Sequence, residues 1–221
     1  MALSPQQLQK KRAKKVAKRR TALAQAPRPG PVVSANMPGN WRRGLGSPIH
    51  EACVNEDIFT GGMGSLIFCR RSTEGQHVLA VFLLDTWCLG VKNVMQSVMT
   101  EAEYSLLRRQ IVQSHSGSMR EISPATARKL VEDLVAWSRE LGFPPCSDYS
   151  DAARIFGDVE RDLAQPDFPF GNNGKPFYIR GPRETIFHSR KIIDQLQRKC
   201  GAGGFDYMVS MDNPSPQEAL S

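Results

Sequence analysis

Four carboxylates, Glu51, Asp85, Asp158 and Asp162, stand where metal chemistry could be assembled. Asp85 closes the longest apolar run of the chain, His77–Asp85, and is followed by Thr86, Trp87, Cys88 and Gly90. A carboxylate at a strand end is held rigidly at the sheet's edge, a seat that catalytic acids favour. On a continuing helix Asp158 and Asp162, four residues apart, share one face, a spacing that can hold a divalent cation. Glu51 would complete a set around Mg²⁺, and the chemistry would be phosphodiester cleavage. Each has a plainer alternative. Asp85 can accept backbone N–H groups in its turn, and Arg154 and Arg161 can make solvated ion pairs with the others.

Two further constellations carry chemical types. Ser47-Pro48 is a plausible helix start, and on that helix His50 and Cys53 would share a face at i, i+3. A structural zinc site needs a second such pair, which the chain lacks, so no metal and no cofactor is expected. Gly171-Asn172-Asn173-Gly174 precedes Lys175, with Arg180 and Arg183 nearby, a glycine turn that could hold a phosphate. It is not a P-loop, because the glycine spacing is short and Pro176 stands where Ser or Thr would bind Mg²⁺. Turn chemistry alone is the favoured account of those glycines.

The densest chemical signal is charge. Lys10, Lys11, Arg12, Lys14, Lys15, Lys18, Arg19 and Arg20 place eight cations in eleven residues. Residues 1–43 carry eleven Lys or Arg and no Asp or Glu. Residues 44–221 hold the other eighteen basic and all 22 acidic residues, a net charge of −4 within a chain of +7. The basicity belongs to the N-terminal arm. Ala13, Val16 and Ala17 make too weak a stripe to fold that arm alone, and the proline-rich Ala26–Pro31 should stay extended. Such an arm neutralises phosphates with little regard to sequence, and its cationic cluster Lys10–Arg20 has no aromatic residue to stack on a base. It also lacks the apolar face of a membrane-surface helix.

Elements to position these residues follow from periodicity. Ser65–Cys69 and Val78–Leu84 are short apolar runs bounded by glycines and joined by Arg71–Gln76, a hairpin whose second strand should be covered on both faces. Thr100 and Glu103 spell a capping box, with Met99 and Tyr104 placed as a staple, for a helix with Tyr104, Leu107 and Ile111 inward. Ser123-Pro124 opens the clearest helix, with Leu130, Leu134, Trp137 and Leu141 inward and Gly142 at its end. A helix capped by Ser147 or Asp148 should turn Tyr149, Ala153 and Phe156 inward. Phe168–Pro182 suggests a second hairpin, Glu184–Cys200 a last helix with Ile186, Ile193, Leu196 and Cys200 inward, and Phe205–Met211 a half-exposed strand. The expected fold is a single α+β domain over 44–211, a largely antiparallel sheet covered by three or four helices. A disordered basic, Pro-rich tail, 1–43, precedes it, and a polar tail, 212–221, follows.

No apolar run approaches the ~20 residues of a membrane span, and no apolar stretch follows the basic arm as a secretory signal requires. Five widely spaced cysteines, an odd number mostly in apolar stretches, suit reduced thiols in the cytoplasm. Three functions remain. The first is a nucleic-acid-associated cytoplasmic protein binding RNA or DNA phosphates through its arm. The alternatives are a metal-dependent phosphodiesterase or nuclease, and a non-enzymatic module that binds a protein through a sheet edge or aromatic hairpin.

Several short motifs carry a resemblance. Pro48–Glu51, Phe82–Lys92 (FLLDTWCLGVK), Ser123–Glu132 (SPATARKLVE), Ala153–Asp158 and Gly174–Pro182 resemble a bacterial family of uncharacterised proteins. The likeness spans about residues 47–211 and implies a bacterial cytoplasmic protein with one coherent domain. It assigns no activity to any residue.

Overall fold

A computed structural model of the chain describes residues 39–114, 118–182 and 184–209. Residues 1–38 of the basic arm, and the polar C-terminal tail, lie outside that set. The body is α+β. Its centre is the hairpin of β2 (Met63–Arg71) and β3 (His77–Asp85), in antiparallel register from Met63 opposite Asp85 to Arg71 opposite His77. The connecting turn closes through Gly75 N–H to Ser72 O at 2.9 Å, with Gly75 at φ 78°, a conformation glycine adopts without strain. With β1 (Ile49–Asn55), β4 (Gly90–Met99) and β5 (Met119–Glu121) these strands form a five-stranded antiparallel sheet ordered β4-β3-β2-β1-β5.

Alternation along β3 divides the core. Val78, Ala80, Phe82 and Leu84 face α4 (Pro124–Glu140), which supplies Ala127, Leu130, Val131, Leu134 and Val135. Leu79 and Val81 face α3 (Glu101–Ser114), which supplies Tyr104, Leu107 and Ile111. Both faces of the strand are therefore covered, as its unbroken apolar run requires. Two of the caps, those of α3 and α4, are legible in the sequence. Thr100 N–H donates to Glu103 Oε2 at 2.8 Å and Glu103 N–H to Thr100 Oγ1 at 3.4 Å. Ser123 Oγ accepts from Thr126 N–H at 3.0 Å. Trp137 is half-buried at the rim of the core and not within it.

A second, smaller layer consists of β6 (Phe177–Ile179) and β7 (Asp206–Met208), paired in parallel, with α6 (Ile186–Cys200) packed against them. The expected hairpin of Phe168–Pro182 does not form. Pro169 and Pro176 lack the N–H groups a ladder needs, and β6 pairs with β7 instead. Asn172–Lys175 keeps only a tight turn, with Asn173 and Gly174 at positive φ. On α6 the inward residues are Ser189, Ile192 and Leu196, and Ile186 is exposed.

Packing begins before residue 44. In α1 (Gly39–Gly44) the Trp41 ring is fully buried, and its Nε1–H donates to Leu79 O at 3.1 Å. Ser47–Val54 is not a helix. Pro48 precedes β1, whose Ala52, Cys53 and Val54 pair with Phe68, Ile67 and Leu66. Pairing with a strand partner overrides a local helix-start signal.

Candidate functional site

Asp85 is fully buried at the end of β3, and its Oδ1 accepts from Trp87 N–H at 3.1 Å and Cys88 N–H at 3.0 Å. The turn it shapes is a junction. Thr86 Oγ1 donates to Ile58 O at 2.8 Å and Trp87 Nε1–H to Phe59 O at 2.8 Å, tying in α2 (Ile58–Gly61). Gly171 N–H donates to Thr86 O and Phe177 N–H to Trp87 O, tying in the asparagine turn and β6. Trp87 stacks on Phe177 with centroids 5.5 Å apart. Gly62, at φ 75°, passes so close to the Trp87 ring that a Cβ there would overlap it. Asp85 thus organises backbone where the large sheet meets the small one.

Asp158 and Asp162 do not share a helix. The helical turns of α5 (Tyr149–Ala152) and the 3₁₀ segment Ala153–Phe156 stop at Gly157, φ 57°. The cause lies across the fold. Arg70 is buried, and its guanidinium donates to Ile155 O at 2.8 Å, Phe156 O at 3.0 Å and Ser47 O at 2.7 Å. Those carbonyls turn toward the arginine instead of continuing a helix, and a Cβ at Gly157 would meet Arg70 Nη2 at 3.0 Å. Burial, the largest influence, lowers the pKa of Arg70, and the charge of Asp158 works against it. Asp162 accepts from Thr126 Oγ1 at 2.9 Å, and Arg161 pairs with Glu132 and Asp133 on α4. Among the described residues, no group of three or more His, Cys, Asp or Glu side chains gathers closely enough to hold a metal ion.

Glu51 belongs to a cluster that sequence reasoning missed. On the α3 side of the sheet it accepts from the Tyr104 hydroxyl and from Arg108 Nε–H at 3.2 Å. The fully buried His77 ring stacks on Tyr104, with centroids 4.5 Å apart, and the His50 ring meets it edge-on at 4.7 Å. A β-bulge between Ile49 and Glu51 brings His50 there, so it pairs with His77 and not with Cys53. His77 Nε2 lies 3.0 Å from Glu101 Oε2, and Nδ1 lies 3.5 Å from Cys69 Sγ.

Cysteine, histidine and glutamate in that order resemble a thiol nucleophile with its base and orienting group. The surroundings deny that chemistry. Burial first, and Glu51 second, push the Cys69 thiol up to about 12, and Cys53 is raised to about 12 by the same pair of influences. A nucleophilic cysteine needs the opposite, a depressed pKa and partial exposure. Tyr104 is likewise raised, by burial and by its bond to Glu51. The cluster satisfies buried polar groups under α3. Its signal in the sequence was slight: His77 opening an apolar strand, with Glu101 just behind a capping threonine.

Two of the anion-binding candidates have protein partners of their own. Lys175 Nζ pairs with Asp206 at 3.2 Å, and Arg180 Nε–H donates to Glu184 O at 2.7 Å. Arg183 lies outside the described residues, as does the whole cluster Lys10–Arg20. A second polar hub went unread. Glu184 accepts from Lys92 at 2.7 Å, from Tyr178 OH at 2.6 Å and from Gly181 N–H at 3.1 Å. Burial works to raise the Glu184 carboxyl, but the Lys92 charge and these bonds outweigh it and hold it below the usual range.

No helix among the described residues is long and apolar enough to cross a membrane. In comparisons with known proteins, no family model, no curated protein and no solved structure matches this chain.

Proposed function

We propose that this protein associates with nucleic acid in the cytoplasm, binding RNA or DNA phosphates through its N-terminal arm. The observation that carries the reading is the segregation of charge. Eleven cations and no acid occupy residues 1–43, ahead of a body that is net negative. A dense cationic segment gains its affinity by displacing the counterions condensed on a nucleic acid. The acidic body adds little to that attraction, so binding should reside in the arm. Five free thiols suit a reducing compartment.

The binding reading is favoured over the nuclease alternative because three of the four candidate carboxylates already have partners in the body. Asp85 holds a turn, Asp162 a loop, and Glu51 a buried tyrosine and an arginine. The test of the binding reading is retention on immobilised RNA and duplex DNA at low salt. The full-length protein should be retained, and a version lacking residues 1–20 should pass through. Undiminished retention of the truncated protein would refute the reading.

A further inference from the structure

We propose that the outward face of α6 is a second contact surface for single-stranded nucleic acid, an inference that rests on the binding function proposed above and adds a site in the body. Ser189, Ile192 and Leu196 turn inward toward Tyr178 and Phe205. At helical spacing, the opposite stripe is Phe187, Lys191, Asp194 and Arg198, about 16 Å from end to end. Arg190 and Lys199 flank it, and all six residues are exposed. The helix therefore presents four cations against one acid, on a body whose net charge is negative.

Two features separate this face from an ordinary solvated helix surface. First, none of Arg190, Lys191, Arg198 and Lys199 forms an ion pair with a described residue, whereas two of the three cations of α4 do: Arg128 with Glu132, and Lys129 with Asp133 and Asp167. Arg198 and Lys199 suit the negative end of the helix dipole, but Arg190 and Lys191 stand near the middle, where the dipole offers them nothing. Second, Phe187 is 69% exposed, with Lys191 Nζ 4.6 Å from its ring centroid. An exposed aromatic ring beside a line of cations is the arrangement that binds single strands, the ring stacking on a base while the cations follow the backbone. A membrane-surface helix would need a broad apolar face turned outward. Here the apolar face is turned into the fold, and only Ile186 and Phe187 show outside. The cationic cluster Lys10–Arg20 supplies charge without a stacking group, and α6 supplies one.

The test uses full-length proteins and a labelled oligouridylate in a salt titration. The variants are Lys191→Ser with Arg198→Ser, Phe187→Ala, Asp194→Asn, and an arm with its eight clustered cations changed to serine. All α6 changes are at exposed positions, and an unaltered thermal melt confirms folding. The double serine variant should bind more weakly, with the slope of log K against log salt reduced by about 1.4, since each phosphate contact on a single strand contributes ~0.7. Phe187→Ala should weaken RNA binding about fivefold or more and leave duplex DNA binding unchanged. Asp194→Asn should tighten binding. If the α6 variants match wild type while the serine arm loses binding, the arm reading survives and this inference is refuted. If the serine arm binds as wild type and the α6 variants fail, α6 is the site and the arm reading is refuted. Loss of binding to vesicles of equal parts phosphatidylserine and phosphatidylcholine, with RNA binding intact, would make the face a membrane contact and overturn the inference.

Discussion

His77 Nε2 lies 3.0 Å from Glu101 Oε2, joining a fully buried ring at the start of β3 to a carboxylate exposed in the first turn of α3. This bond fixes the helix against the sheet at the end where Tyr104, Glu51 and His50 gather. It also holds the Glu101 carboxyl below the usual range, chiefly by the hydrogen bond from His77. Glu101→Ala leaves a buried ring nitrogen without its partner. The midpoint of unfolding in urea should fall. A variant as stable as wild type would show that the bond contributes nothing.

Arg70 should be the least replaceable charged residue of the body. Its fork satisfies three carbonyls from two separate segments, and lysine cannot reproduce that planar geometry. Arg70→Met and Arg70→Lys should each destabilise by about 3 kcal/mol or more. Substantial rescue by lysine would mean that the charge matters and the fork does not.

Asp85 should behave as a turn residue. Asp85→Asn keeps an acceptor for Trp87 N–H and Cys88 N–H and should be much better tolerated than Asp85→Ala. With Mg²⁺ or Mn²⁺ present, cleavage of RNA or DNA that is lost in a stably folded Asp85→Asn protein would restore the nuclease reading.

The thiols give a pH dependence of known sign. Unfolded cysteines ionise near 9, whereas Cys53 and Cys69 stay protonated in the fold until about 12. Below the first value both states hold their protons and this contribution is fully present. Between the two the unfolded state sheds protons that the native state keeps, so stability falls as pH rises, by up to about 1.4 kcal/mol per pH unit for each thiol. Denaturation in urea across that range should show the decline, and Cys53→Ala with Cys69→Ala should flatten it. An equally steep decline without the two thiols would contradict the account.

The legible parts of the fold were those in which local signals and tertiary packing agree. The β2–β3 hairpin, the Thr100–Glu103 box and the Ser123 cap each depend on neighbours within a few residues. What escaped depends on distant partners. Ser47-Pro48 carries a sound helix-start signal, but Phe68, Ile67 and Leu66 offer Ala52–Val54 a strand to pair with. Gly157 reads as a residue a helix could pass through until Arg70, far away in sequence, draws the carbonyls of Ile155 and Phe156 toward itself. His77 with Glu101, and Lys92 with Glu184, are isolated residues in the sequence and become partners only in the fold. Of the candidate site, the carboxylates were recognisable as a set by type alone, and three of them are engaged as structural acceptors.

The most direct measurement of the central claim is the salt dependence of RNA and duplex DNA binding by the full-length protein beside one whose Lys10–Arg20 cations are serine. If most of the eight cations contact phosphates, affinity should fall on the order of 10³-fold or more between about 50 and 200 mM salt. The serine protein should bind far more weakly, with a much shallower slope. Equal affinities and equal slopes for the two proteins would contradict the claim that the arm binds nucleic acid.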